Sequence, residues 1–171
     1  MASSLSGSLS ISASIDFAGD SDTSTLTDAI TGAIESWTIA NGTGASQADI
    51  LWHDQRTLAA STSEDLDLSG SLTDSFGTTV SLVRVKAIIV SAASDNGGLI
   101  QVGGASSNQF INWVADASDV VQIRAGGFML LAAPDATAYA VTAGTGDLLK
   151  IANTDGAAAG TYDIYIIGAS A

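Results

Sequence analysis

The side chains that could carry out nucleophilic or acid–base chemistry are few in this chain of 171 residues. There is no cysteine, and the single histidine, His53, lies between Trp52 and Asp54. A serine hydrolase holds its histidine between a serine and a carboxylate. The motif Gly-x-Ser-x-Gly is absent, however, and Asp54 on a strand would point to the face opposite His53. We therefore predict that the chain is not an enzyme, and we interpret His53 as a structural or interface residue.

Acidic side chains are the second candidate for chemistry. They form three groups: Asp20 and Asp22; Glu64, Asp65 and Asp67; and Asp116 and Asp119. A glycosidase needs two acids that face each other across a cleft. A calcium site needs six or more oxygens, and the stretch with Asp16, Asp20 and Asp22 lacks the Asp-x-Asp-x-Asp-Gly loop. Because aspartate is a preferred turn residue, we interpret these groups as solvated turn acids and predict no metal site and no cofactor.

The net charge limits the classes of partner that the chain can bind. Five Lys and Arg residues against 18 Asp and Glu residues give a net charge of −13 (5 − 18), which repels phosphate, so we predict no nucleic-acid partner. Residues 1–55 contain seven acids and no Lys or Arg. This acidity serves solubility, or it forms a face that meets a basic partner or divalent cations. Charged residues make up 13% of the chain, against about 25% in average domains. A surface so poor in long charged side chains favours packing against copies of the chain.

Targeting and membrane signals are missing from the sequence. No apolar run approaches the ~18 residues of a membrane span, and the start of the chain lacks the cationic and apolar parts of a secretory signal. We expect a protein made in the cytoplasm without Sec export and without a membrane partner. Hydrophobic residues, at 46%, suffice for a folded core.

Alternation with a period of two residues dominates the chain and predicts strands. In the N-terminal part, apolar residues alternate with Ser10, Ser12, Ser14 and Asp16; they are Leu9, Ile11, Ala13, Ile15 and Phe17. The segment 25–37 is ambiguous. Its apolar residues have helical spacing, with Ser24 or Thr25 as a cap, yet its Thr and Gly content weakens a helix. A short helix and a strand therefore both stay open there.

The whole pattern gives about ten short strands with turn signals every 8–14 residues, including a hairpin signal at 95–98. We predict an all-β fold, an antiparallel, jelly-roll-like β-sandwich, with residues 1–45 as an N-terminal arm and residues 46–171 as the sandwich body. The large side chains expected at interfaces are Leu9, Ile11, Ile15, Phe17, Trp37, Trp52, His53 and Trp113.

Several stretches carry a resemblance. They are LWHDQRTLAAS (51–61), EDLDLSGSLTDSFG (64–77), GGFMLLAAPDATAYAVTAGTGDLLKIAN (126–153) and YDIYIIGAS (162–170). In their short polar strands and Ala/Gly/Ser/Thr surface, they resemble small β-rich virion proteins of tailed bacteriophages. The resemblance implies a capsid decoration (cement) protein of the virion. It also implies a homo-oligomer, in most cases a trimer, with the major capsid protein or another virion protein as partner.

Two rival functions stay open. A tail, baseplate or fibre component would bind a host-surface glycan or receptor through exposed Trp or Tyr side chains, because aromatic rings stack on sugars. A hydrolase on a β-rich scaffold would depend on His53 or on a pair of acids.

Overall fold

The structure is a computed structural model that describes residues 4–171, without the side chains of residues 21 and 33. This part of the chain contains twelve strands and no helix. The strands are β1 (Gly7–Ser21), β2 (Ser24–Asn41), β3 (Gln47–Ala48), β4 (Ile50–Leu58), β5 (Ser63–Asp67), β6 (Arg84–Ala92), β7 (Ile100–Gly103), β8 (Val120–Ile123), β9 (Phe128–Ala132), β10 (Tyr139–Ala140), β11 (Leu148–Asn153) and β12 (Gly160–Ala169).

Two antiparallel sheets form the body of the molecule. One has the order β10-β6-β12-β4, with β9 also paired to β6, and the other has the order β5-β11-β7-β8. A single apolar core draws side chains from both sheets. The predicted all-β class and antiparallel β-sandwich are therefore confirmed, whereas the jelly-roll connectivity stays a prediction.

The core arises from strict alternation on the central strands. On β12, Tyr162, Ile164 and Ile166 are fully buried, and on β11, Leu149 and Ile151 face them from the other sheet. The residues between these positions are half-buried or exposed, because successive side chains of a strand point to opposite faces of the sheet.

The N-terminal strands form a separate long hairpin. β1, of 15 residues, pairs antiparallel with residues 24–39 of the 18-residue β2, and β3 adds a two-residue parallel pairing at the end of β2. The predicted division between residues 45 and 46 falls in the loop that joins β2 to β3. The division into an arm and a body stays a prediction.

The short helix considered for residues 25–37 was wrong, because this segment belongs to β2. A bulge explains the misleading spacing: Ile11 pairs with Glu35 and Ser12 pairs with Ala33, so Ile34 is an extra residue on β2. The bulge shifts the alternation by one residue. Two strand-like patterns, out of phase with each other, therefore imitate the spacing of one helix.

The turn signal at residues 95–98 does not make a hairpin. β6 precedes it in one sheet, and β7 follows it in the other, paired with β8 and β11. Asn96 fixes this crossing, since its amide donates to the carbonyl of Thr161 at 2.8 Å and accepts from the N–H of the same residue at 2.8 Å.

Candidate functional site

The hairpin has one apolar face and one hydroxyl-rich face. Directly opposed residues of paired strands point to the same side, and Ile15 is opposite Ile30, Phe17 opposite Asp28, and Gly19 opposite Leu26. The other side carries Ser8, Ser10, Ser12 and Ser14 of β1 and the threonines of β2. Sequence alternation thus produces an amphipathic ribbon.

The distal part of this ribbon is uncovered on both faces. Every described side chain between positions 14 and 36 is exposed. The large apolar side chains among them keep more than half of their surface in solvent; they are Ile15 (57%), Phe17 (76%), Leu26 (66%), Ile30 (58%) and the bulge residue Ile34 (62%). The strand register places Ile15, Phe17, Leu26 and Ile30 on one side, and we call these four residues the distal apolar face. Soluble monomers rarely expose such a continuous apolar surface.

The root of the hairpin, by contrast, is packed against the body. Trp37 and Ile39 are buried with Ala48 and with Ala87, which points outward from β6. The same side of the ribbon that is bare at its tip is therefore covered at its root. The hairpin is anchored to the outer surface of the larger sheet.

A groove of about 340 Å³ lies where the root meets the edge strand β9. Its walls are mostly apolar; they consist of Leu9, Ser10, Ile11, Glu35, Ser36, Trp37, Leu130, Ala132 and Pro134. The buried indole Nε1 of Trp37 has no hydrogen-bond partner in the described part of the chain. A buried N–H without a partner costs stability.

Two cations attach the loops around the root to the body. The fully buried Lys86 is the extra residue of a bulge on β6, and its Nζ donates to the carbonyls of Gly44, at 3.2 Å, and Asp135. Arg84 donates to the carbonyl of Ala136 at 3.0 Å. Burial lowers the pKa of the Lys86 ammonium, while the nearby Asp135 carboxylate opposes that shift. Backbone carbonyls therefore satisfy a charge that the core cannot solvate.

A second, polar groove of about 370 Å³ runs along the edge strand β4 beside residues 71–75. His53 lies in its wall, with Nε2 3.4 Å from the hydroxyl oxygen of Ser75 and with its ring stacked on exposed Tyr165 at 5.8 Å between centroids. Within residues 4–171, Ser75 is the one hydrogen-bond partner of the imidazole. Asp74 is turned toward the backbone N–H groups of Phe76 and Thr78. The pair of Ser75 and His53 therefore lacks a carboxylate that would orient the histidine.

In the wall of this groove begins a half-buried polar cluster that the sequence did not indicate. Arg56 donates to Glu64 at 2.6 Å, and the hydroxyl of Tyr162 donates to the other oxygen of Glu64 at 2.8 Å. Arg56 Nε is 3.1 Å from an oxygen of Asp54 but is not aligned for a hydrogen bond. The guanidinium also lies 5.5 Å from the ring centre of Trp52. Burial and the contact with Glu64 raise the pKa of Tyr162.

The prediction of turn acids is correct for Asp116 and Asp119 but wrong for Asp20 and Asp65, which lie on strands β1 and β5. Asp116 accepts the backbone N–H and the hydroxyl of Ser118, both at 2.9 Å, and these bonds lower its pKa. Asp119 accepts the N–H of Asp116. Glu64 also lies on β5, where it belongs to the half-buried cluster. The described residues contain no group of three acids or histidines that could hold a metal ion.

The eight residues predicted at interfaces fall in four places. Ile15 and Phe17 belong to the distal apolar face, and Leu9, Ile11 and Trp37 line the groove at the root. His53 is exposed on the outer surface of the sheet.

The other two tryptophans pack against the main core. Trp52 retains only 3% of its surface in solvent, too little for a contact with a partner. Trp113 is half-buried and donates its indole N–H to the carbonyl of Phe110 at 3.0 Å.

Sequence reasoning missed two members of the distal apolar face, namely Leu26 and Ile30. A signal was present: Thr25, Thr27 and Thr31 have the period of a strand. The bulge at Ile34 obscured it.

Among residues 4–171 no helix has the length and apolar character needed to cross a membrane. No protein-family model, curated protein or solved structure matches the chain.

Proposed function

We propose that the chain is a structural component of a virion, a capsid decoration (cement) protein that binds the outer capsid lattice and stabilises it as a homo-oligomer. The observation that carries the proposal is the hairpin whose distal half is exposed on both faces. An isolated two-stranded hairpin is at best marginally stable in water. A ribbon of this length therefore gains its stability from a surface outside its own chain.

The hairpin has the features of an arm that reaches a neighbouring subunit. From residue 12 to residue 21, β1 extends about 30 Å beyond the root, at roughly 3.3 Å per residue. Within the described residues its outer edge pairs with no strand, so its backbone N–H and C=O groups can add to the sheet of a lattice protein. The hydroxyl-rich face can lie flat on such a surface, because Ser and Thr lose little side-chain freedom on binding.

The composition supports a passive structural role. The first 55 residues carry seven acids and no base, and the net charge of −13 keeps the chain away from packaged nucleic acid. A cement protein needs contact area rather than a reactive centre.

The test is quantitative mass spectrometry of purified particles. A decoration protein should be present in a copy number comparable with that of the capsid subunits. A matched variant replaces residues 12–34 by an Asn-Gly turn, which joins the opposed residues Ile11 and Glu35. This variant should keep the circular dichroism of the body but lose its place on the particle, whereas Phe76→Ser on an exposed body loop should bind normally. Absence of the native chain from particles would refute the proposal.

The stacked pair of His53 and Tyr165 beside the polar groove favours a second function, a tail, baseplate or fibre component that binds a host-surface glycan. Tyr165 keeps 43% of its surface exposed, so a sugar ring can reach it. Glycan-array binding that is lost in Tyr165→Ala and retained in Phe128→Ala, which alters another exposed aromatic residue of the body, would support this function. A copy number far below that of the capsid subunits would separate it from the first.

A further inference from the structure

We propose that the distal apolar face is covered by a second copy of this chain, hairpin against hairpin. The inference names the partner of the arm and rests on the proposed assembly role. The distal apolar face is continuous with the side of the ribbon that already packs on the body through Trp37 and Ile39. The part of the hairpin that lacks cover is therefore the distal half of its apolar side.

The distribution of acids on the hairpin favours a second copy of the chain over a basic partner as the cover of the apolar side. Asp16 and Asp20 lie on the hydroxyl-rich side, opposite the distal apolar face, because they alternate with Ile15 and Phe17 along β1. Among the paired residues beyond the bulge, the one acid on the apolar side is Asp28, opposite Phe17. A basic partner would be attracted to the side that the apolar residues do not occupy. The apolar side needs an almost uncharged apolar surface, and an identical hairpin supplies one.

The area is sufficient for a stable contact. From their fractional exposures, the four side chains of the distal apolar face leave roughly 500 Å² in water, near the upper limit of what monomers show. Two such faces together would remove at most roughly 1,000 Å² from solvent, about the minimum expected of a biological interface. Two ribbons packed face to face also form a four-stranded, two-layered unit, which is far more stable than an isolated hairpin. The acids Asp16 and Asp20 of each copy then point outward into solvent.

The first experiment is sedimentation velocity of the full chain over a range of concentrations. The native protein should associate, and Phe17→Ser should weaken association by about tenfold or more. Phe76→Ser is the matched control, because Phe76 is as exposed as Phe17 (85% against 76%) but lies on a loop of the body. Added salt should strengthen association of the native chain, since it screens repulsion between copies that each carry −13.

The absence of cysteine from the sequence allows a second experiment. Ile15→Cys and Ser14→Cys place single thiols on adjacent residues that point to opposite faces of the hairpin. A short bismaleimide should link two copies of Ile15→Cys and leave Ser14→Cys uncoupled.

Three results would overturn the inference: a monomer at every concentration and salt, a Phe17→Ser variant that associates like the native chain, or equal cross-linking of the two cysteine variants. A monomeric chain that still occupies particles at the copy number of capsid subunits would refute this pairing and leave the virion role intact. An associating chain that is absent from particles would refute the virion role alone.

Discussion

The hairpin and the sandwich body use the same alternation of apolar and polar residues and reach opposite outcomes. Ile164 at the centre of β12 has no exposed surface, whereas Ile30 on β2 has 58% of its surface in solvent. In the body a second sheet covers the apolar side, and in the distal hairpin nothing within residues 4–171 does so. Alternation therefore determines which side of a strand is apolar, but burial of that side requires a second sheet to pack against it.

Truncation of a core side chain should lower the stability of the protein most. Ile164→Ala should lower the free energy of unfolding by about 2–5 kcal/mol, because it leaves a cavity between the two sheets. Ile30→Ala should change it by no more than about 0.5 kcal/mol in dilute solution, where the site is exposed. Urea denaturation followed by tryptophan fluorescence measures both. Equal losses would mean that the hairpin shares the cooperative unit of the body.

The next effect concerns the junction of the two regions. Lys86→Met removes the donor for the carbonyls of Gly44 and Asp135 and should cost about 1–3 kcal/mol. Hydrogen exchange should speed up at the amide of Ser46, which bonds to the carbonyl of Pro134 at 2.7 Å. Lys150→Met, on β11, is the matched control. Unchanged exchange at Ser46 would show that the root does not depend on this ammonium.

A smaller effect appears at alkaline pH and belongs to the body alone. Burial and the hydrogen bond to Glu64 raise the pKa of Tyr162 above its usual value of 10. The unfolded chain therefore loses this proton near pH 10 while the folded chain keeps it. The stabilisation is complete below pH 10 and declines above it by about 1.4 kcal/mol per pH unit.

The variant Tyr162→Phe should show a correspondingly shallower alkaline loss of stability. Tyrosinate absorbance above pH 10 supplies the control: the folded variant should match the folded native protein, and the two should differ once unfolded. A smaller signal in the folded variant would contradict the assignment.

The smallest expected effect is at acid pH, near the root. Hydrogen bonds from the N–H groups of Ala138 and Thr137 lower the pKa of the Asp135 carboxyl below 3.8. Its contribution to stability is therefore present above pH 3.8 and is lost as the pH falls through the lowered value. Asp135→Asn should flatten the acid decline of the thermal midpoint slightly. An unaltered decline would remove Asp135 from the set of acid-sensitive groups.

The fold class was predictable because the body obeys the rule of alternation. Strand β12 shows the full pattern, since Tyr162, Ile164 and Ile166 are separated by residues that face outward. Long-range pairing was not predictable in the same way. The turn at residues 95–98 resembles a hairpin turn locally, and only the contact of Asn96 with Thr161, 65 residues away, reveals a crossing between sheets.

The candidate site was predictable in part. The alternation from Leu9 to Phe17 correctly indicated an amphipathic strand. Its partner strand was hidden by the bulge at Ile34, because one inserted residue reverses the phase of the pattern. The cluster of Arg56, Glu64 and Tyr162 was beyond reach, since it joins three strands through side chains whose meeting depends on the tertiary fold.

The turn at the end of the hairpin has a practical consequence. Ser21 and Ser24 are directly opposed, so the chain leaves and re-enters the ribbon within the width of one strand pair, and the exposed Asp22 and Thr23 lie between them. Exposed loop tips with close ends tolerate insertions well. A foreign epitope or a small fluorescent reporter grafted between Asp22 and Thr23 would be displayed on a built-in spacer, clear of the sandwich that carries it.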